Sequence, residues 1–154
     1  MDQSDGFYNR SLRYLAIRPR SEKEIRDYLK KKDATDKVID FVVEKLRSQK
    51  FIDDAEFIRW WVRQRTVIKQ TSYMSIKREL ALKGVDRDLI ESTITDLGDE
   101  KEDELAMAKK IVAKKIDKYD GFSKNEVYQK LGGVLARRGF SWSIIKRAID
   151  DYSK

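Results

Sequence analysis

The sequence predicts an all-α protein built as three tandem three-helix repeats, helix-turn-helix-like units in an elongated, curved array. Three observations carry that expectation. Apolar residues recur at helical spacing, and no alternating apolar/polar run of strand length stands out. Three segments align without a gap, beginning at Ser21, Ser72 and Val127 (SEKEIRDYLKKKDATDKVIDFVVEKL, SYMSIKRELALKGVDRDLIESTITDL and VYQKLGGVLARRGFSWSIIKRAIDDY). Each segment breaks four residues after an aligned leucine, at Asp33, Gly84 and Gly139.

With Leu29, Leu80 and Leu135 in register, Ile25, Ile76 and Leu131 lie four residues upstream. Downstream, Val38, Leu89 and Ile144 coincide, then Ile39, Ile90 and Ile145, then Val43, Ile94 and Ile149, then Leu46, Leu97 and Tyr152. Two short helices joined by a tight turn account for the two stripes in each segment. Gly84 and Gly139 sit where a left-handed residue closes the first helix, a conformation that Asp33 tolerates less well. Ser21 with Glu24 and Ser123 with Glu126 have capping-box spacing, and Ser72, Asp86 and Ser141 can cap alone.

One further helix precedes each pair. Tyr8, Leu12 and Leu15 form the first, which must end before Pro19. Asp53 with Glu56 opens the second, running through Phe57, Ile58, Trp61 and Val62 to about Ile68; Leu105, Ala108, Val112 and Ile116 mark the third. The count is nine helices, with repeats expected over 1–52, 53–99 and 100–154. The acidic stretch 98–104 reads as the joint before the last repeat, either a hinge or a polar helix start.

Composition removes several function classes. The 154 residues include no cysteine and no histidine, so disulfides, thiolate metal sites, the commonest general base and the commonest metal ligand are all missing. No 18-residue apolar run exists, and the N-terminus has no apolar signal core, which points to a cytoplasmic protein. The adjacent carboxylates Asp53–Asp54 and Asp150–Asp151 diverge by about 100° on a helix, so a capping role suits Asp53 or Asp54 better than catalysis. The run 99–104 lacks calcium-loop spacing, and LGGVLARRGF matches no phosphate-binding glycine motif. No catalytic residue, metal, cofactor or small-molecule substrate is expected.

The net charge of +7 favours an anionic partner, or merely keeps a helical protein soluble. Residues 1–52 hold 13 Lys/Arg against 9 Asp/Glu, residues 53–99 hold 8 against 9, and residues 100–154 hold 13 against 9. Two basic ends therefore flank a near-neutral middle. Arg10, Arg13, Arg18 and Arg20 cluster at the first helix and just beyond it. Lys30, Lys31 and Lys32 can simply complement a helix C-terminus. Lys109, Lys110, Lys114, Lys115 and Lys118 form a stripe that suits a phosphate backbone or a plain solvated face. In FIRWWVRQR, Phe57, Ile58, Trp61 and Val62 face inward, leaving Arg59, Trp60 and Arg63 outward as a contact surface or as packing against a neighbouring repeat. Arg65 falls back toward the apolar side as an internal organiser.

In sum these stretches resemble the RecX family of recombinase regulators. The resemblance is carried by Leu12-x-x-Leu15-Ala16, Arg18-Pro19-Arg20-Ser21-x-x-Glu24-Ile25, Leu46, and Phe51-Ile52-Asp53-Asp54-x-x-Phe57. It continues through Trp61, Val62 and Arg65 to Ile76-x-x-Glu79-Leu80-x-x-Lys83-Gly84-Val85, then Leu131 and Leu135-x-x-Arg138-Gly139-Phe140. Three departures affect local geometry: Lys32-Asp33 where Lys-Gly is expected, no glycine in VIKQTSYMS, and Gly132-Gly133 inside a helix, each costing about 1 kcal/mol against alanine. The resemblance implies a monomeric, non-enzymatic protein of DNA repair and the SOS response. It would lie in the groove of the RecA–DNA filament and lower strand exchange, ATP hydrolysis and coprotease activity, with weak, salt-sensitive DNA contact. Arg10, Arg13, Arg18, Arg20, Arg59, Trp60, Arg63, Lys109 and Lys114 are the candidate contacts; Asp53, Asp54, Phe57, Trp61, Arg65, Gly84 and Gly139 are structural. Two rivals are a sequence-specific DNA-binding protein and a protein-only scaffold. VDRDLIESTI and SWSIIKRAID fit the first poorly, since a recognition helix needs several base-reading side chains in its first turn.

Overall fold

A computed structural model describes residues 3–152 and, among these, holds nine α-helices and no strand. The helices are α1 (Gln3–Ile17), α2 (Glu22–Lys31), α3 (Asp36–Ser48), α4 (Asp54–Arg63), α5 (Tyr73–Leu82), α6 (Arg87–Asp96), α7 (Glu104–Lys115), α8 (Lys124–Arg137) and α9 (Trp142–Tyr152). A π-helical turn, Gln64–Ile68, extends α4, and 3-10 turns occupy Gly98–Glu100 and Ile116–Tyr119. Met1, Asp2, Ser153 and Lys154, the ends of the outer two expected repeats, lie outside the described residues. No helix among the described residues is long and apolar enough to cross a membrane.

The helix starts follow from hydroxyl and carboxylate caps, which satisfy amide groups that the first turn leaves without partners. Ser21 and Ser123 form full capping boxes with Glu24 and Glu126. Ser72 accepts from the Ser75 amide at 3.2 Å, Asp86 from Leu89 at 3.1 Å and Ser141 from Ile144 at 3.3 Å. Asp103 caps α7 through the Ala106 amide at 3.0 Å, so the acidic stretch before α7 is in part a helix start.

All three breaks adopt the left-handed conformation, with φ of 66° at Asp33, 79° at Gly84 and 90° at Gly139. Aspartate is one of the few residues with a side chain that visits this region, and Asp33 is exposed, so nothing crowds its Cβ. The missing glycine in VIKQTSYMS is likewise absorbed: Gln70 takes φ of 46°, and its side-chain amide donates to the Val67 carbonyl at 2.7 Å. α8 runs unbroken through Gly132 and Gly133.

The chain divides into two compact units. The first holds the described residues up to Trp60 together with Glu79–Thr95; the second holds Trp61–Arg78 together with the described residues from Asp96 onward. In the first, α1, α2 and α3 pack on one another around Ile25, Leu29, Ile39, Val42, Val43 and Leu46. Phe57, Ile58, Leu80, Ile90 and Ile94 are buried in the same unit. In the second, α7, α8 and α9 pack around Met107, Ile111, Val112, Leu131, Leu135, Ile145 and Ile149. Full burial of one such aliphatic side chain contributes on the order of 1.5–3 kcal/mol. Met107 and Ile111 escaped the sequence pattern because the basic residues beside them drew the expected apolar stripe to Leu105 and Val112.

Candidate interaction surface

Each unit contains one junction at which the N-terminus of a second helix meets a later left-handed turn. In the first unit, the Ser21 hydroxyl donates to the Lys83 carbonyl at 2.8 Å while accepting from the Glu24 amide. Glu24 holds Arg18 at 2.5 Å and Lys83 Nζ at 3.6 Å. The amide of Glu22 donates to the Asp54 carboxylate at 3.0 Å. In the second unit, the Ser72 amide donates to the Arg138 carbonyl at 3.0 Å, and the Arg138 guanidinium to the carbonyl of Lys69. The amide of Tyr73 donates to the Glu104 carboxylate at 2.9 Å. Asp54 and Glu104 are each the first residue of their helix, and Glu22 and Tyr73 are each the first residue of theirs. The same clasp is therefore built twice.

The glycine at each turn is dictated by proximity as well as by φ. A Cβ on Gly84 would lie 2.5 Å from Lys23 Cβ, and one on Gly139 3.0 Å from Ser75 Cβ and nearer still to the hydroxyls of Ser72 and Ser75. Asp53, the adjacent carboxylate, caps α4 through the amides of Ala55 and Glu56 at 3.0 and 3.3 Å. Its role is structural, and Asp54 points instead into the clasp.

Electrostatics differ within the first clasp. Burial pushes the Asp54 carboxyl above its ordinary value, with Glu22 and Asp53 adding to the rise against the hydrogen bond from the Glu22 amide. Burial also acts on Glu24 and Glu22, but there it is outweighed. Arg18, the Ser21 amide and Lys83 hold Glu24 below the usual carboxylate range, and Arg47 and Arg26 do the same for Glu22. In the second clasp, burial raises the Tyr73 hydroxyl to about 12; that hydroxyl donates to the Glu102 carbonyl at 3.0 Å.

The nine candidate contact residues fall into two groups. Arg10, Arg13, Arg63, Lys109 and Lys114 are exposed, with Arg10 lying 5.6 Å over the Phe7 ring. Arg18, Arg20, Arg59 and Trp60 are half-buried and engaged within the chain, as is the exposed Lys109. Arg18 donates to the Pro19 carbonyl at 2.7 Å, pairs with Glu24 and lies 5.7 Å from the Trp60 ring. Arg20 lies 3.7 Å over the Tyr14 ring, Arg59 pairs with Glu56, and Lys109 pairs with Asp151 at 3.1 Å. Trp60 is half-buried, 6.2 Å from Phe57, so it packs against Arg18 of the first helix group as well as meeting solvent. Of the structural set, Phe57 is buried and Arg65 lies 5.9 Å over Trp61, both half-buried.

Sequence reasoning missed one arrangement on this surface. Tyr14 of α1 and Tyr28 of α2 stack at 4.1 Å with ring planes 7° apart, and Arg20 and Lys32 cover the outer faces, Lys32 at 5.7 Å. The tyrosines lie 14 residues apart on different helices, so no local spacing signals the column.

The fold and this surface define an all-helical protein of repeated three-helix groups, with no group of three or more carboxylates that could hold a metal among the described residues. Family profiles for the first, second and third three-helix domains of RecX match residues 8–46, 53–94 and 102–149. The chain belongs to the RecX family. It is 33% identical over 144 residues to the regulatory protein RecX of Bacillus pumilus, covering 94% of this chain and 54% of that one. The regulatory protein RecX of Bacillus subtilis is 34% identical over 143 residues, with coverage of 93% and 53%. The chain thus spans about half the length of the curated relatives it matches. A crystal structure of RecX from Lactobacillus salivarius superposes with a TM-score of 0.78 at 25% identity, covering 96% of this chain and 95% of that one. A second crystal structure, of a regulatory protein RecX, gives 0.78 at 28% identity over 97% and 72%.

Proposed function

We propose that this protein is a cytoplasmic, monomeric, non-enzymatic regulator that binds the assembled RecA–DNA filament and lowers its strand-exchange, ATPase and coprotease activities. The observation that carries the reading is membership of the RecX family along all three helix groups. The charge distribution supports it, because both basic ends suit a partner made of acidic protein surface and DNA phosphate. The lack of histidine and cysteine fits a protein that acts by occupying a surface.

Contact is assigned first to Arg10, Arg13, Arg63 and Lys114, whose side chains are exposed. Arg18, Arg20, Arg59, Trp60 and Lys109 contribute through faces left open by their internal partners. Bare DNA is bound weakly, and that binding falls steeply with salt as counterions are released. The test is co-sedimentation with RecA filaments on single-stranded DNA. The double variant Arg10→Glu with Arg13→Glu, at two exposed positions on one face of α1, is expected to lower filament affinity at least tenfold with unchanged helicity. Full binding by a folded double variant removes α1 from the contact surface.

A further inference from the structure

The three helix groups share one edge between their last two helices, and the third group builds it from different chemistry. With Leu29, Leu80 and Leu135 in register, the position of Gly132 is held by Arg26 and Lys77, and that of Trp142 by Asp36 and Arg87. Asp36, Arg87 and Trp142 each begin the last helix of their group, and all three are exposed. The repeat therefore sets this position at the surface, and only the third group places a tryptophan there. In the first group charge closes the edge: Arg26 pairs with Glu22 at 3.2 Å and with Asp40 of α3 at 2.8 Å. In the third group the residue at that point is Gly132, and a Cβ on it would lie 3.8 Å from Trp142 Cζ3. The indole lies against the bare helix instead, in edge contact with Tyr128, ring centroids 5.8 Å apart and planes at 61°. That packing covers less than half of it, for Trp142 remains 57% exposed.

Resting on the DNA contact in the proposed function and going beyond it, we infer that the Tyr128–Trp142 edge of α8 and α9 is a base-stacking platform for single-stranded DNA, with Lys124 and Lys146 meeting its phosphates. A cation stands one helical turn from each ring. Lys124 lies 5.8 Å from the Tyr128 ring, and Lys146 follows Trp142 by four residues on α9. Both lysines reach the same carboxylate, Asp150, at 3.8 and 3.3 Å, so two positive charges share one negative and the edge stays positive. Asp150 also accepts from the Tyr128 hydroxyl, which holds that ring in place beside Trp142.

The chemistry selects the ligand. An exposed indole beside lysines suits a strand whose bases are free to stack on it while its phosphates take the cations. A duplex keeps its bases stacked on one another, so it gains only the phosphate contacts. An apolar protein surface would strip water from Lys124 and Lys146 without returning a charge partner, and burial of unpaired charge is costly. The third group also carries the charge for this role, with 13 Lys/Arg against 9 Asp/Glu over residues 100–154.

The test titrates the full chain into a labelled oligothymidylate at low salt and follows anisotropy. Trp142→Ala is expected to weaken binding about fivefold or more, and Trp142→Tyr, which keeps a stacking ring, to restore most of the loss. An abasic strand of the same length is expected to bind parent and Trp142→Ala alike, and both more weakly than the parent binds oligothymidylate. Lys124→Ala with Lys146→Ala is expected to flatten the slope of log affinity against log salt by about 1.4, while Trp142→Ala leaves that slope unchanged. Equal binding of oligothymidylate by parent and a folded Trp142→Ala overturns the inference, as does equal binding of the abasic strand and oligothymidylate by the parent. Loss of the fold in Trp142→Ala also overturns it, because the ring is then structural. Weaker co-sedimentation of Trp142→Ala with RecA filaments, beside unchanged oligothymidylate binding, gives the edge to a protein partner and overturns it too. The oligothymidylate arms contain no recombinase, so their failure is distinct from failure of the parent to bind filaments.

Discussion

The two clasps share one backbone plan but use different chemistry. In the first, charge dominates: Glu24 sits between Arg18 and Lys83, and Glu22 among Arg26 and Arg47. In the second, the position of Glu24 is taken by Ser75, and hydroxyls and the Tyr73 ring fill the corresponding space. A repeat junction is thus specified by what must fit, a serine cap under a glycine turn and a helix-start carboxylate, while its electrostatics vary. The first junction is expected to respond to salt and acid, and the second far less.

The largest expected effect is at the turn. Gly139→Ala forces an L side chain into φ of 90° and pushes against Ser72 and Ser75, so it is expected to cost at least ~2 kcal/mol in denaturant melts. Gly84→Ala meets the Lys23 Cβ instead and is expected to be of the same order. If either proves neutral, the clasp does not constrain that turn.

Next come the caps, and here the two junctions separate. Ser21→Ala removes a cap and also strands the Lys83 carbonyl, whereas Ser72 reaches Arg138 through its backbone amide, which alanine keeps. Losses of about 2 kcal/mol and about 1 kcal/mol are expected. Equal losses would mean that the Ser21–Lys83 hydrogen bond adds nothing.

Glu24→Gln is expected to cost about 1 kcal/mol at neutral pH. Because the folded value of Glu24 lies below its ordinary 4.5, that contribution is fully present above 4.5 and disappears as pH falls through the lower folded value. The gap between variant and parent should therefore close in acid. Asp54 runs the other way: its folded value lies above the ordinary 3.8, so its ionisation opposes folding as pH rises. Urea melts from pH 7 to pH 3 check both signs.

The smallest effect has the opposite sign. Gly133 is helical, and a Cβ there would meet only the Arg137 guanidinium at 3.6 Å. Gly133→Ala is expected to stabilise by roughly 0.5–1 kcal/mol, six residues from a glycine that cannot be replaced.

Much of this was legible in the sequence because caps and breaks are local. Ser21 with Glu24, Ser123 with Glu126 and the break at Asp33, Gly84 and Gly139 each depend on residues within one turn of each other. The pairings that make the clasps were not, since Ser21 finds Lys83 across 62 residues and Arg138 finds Lys69 across 69. One trace was present: glycine at two aligned breaks and aspartate at the third marks which turns receive a neighbour. Arg18 and Trp60 show the limit on the surface side, because composition names both as contact residues and only packing reveals that each engages the other. The basic character of α7 was likewise visible, but not that Lys109 is held by Asp151.

The most direct test of the functional account is ATP hydrolysis by RecA assembled on single-stranded DNA, measured with this protein at substoichiometric ratios. A marked drop well below one protein per RecA protomer is expected, because binding within a filament restrains more protomers than it touches. Unchanged hydrolysis at equimolar protein, with the chain folded and helical, contradicts the filament reading and leaves the helical array as a scaffold for a different partner.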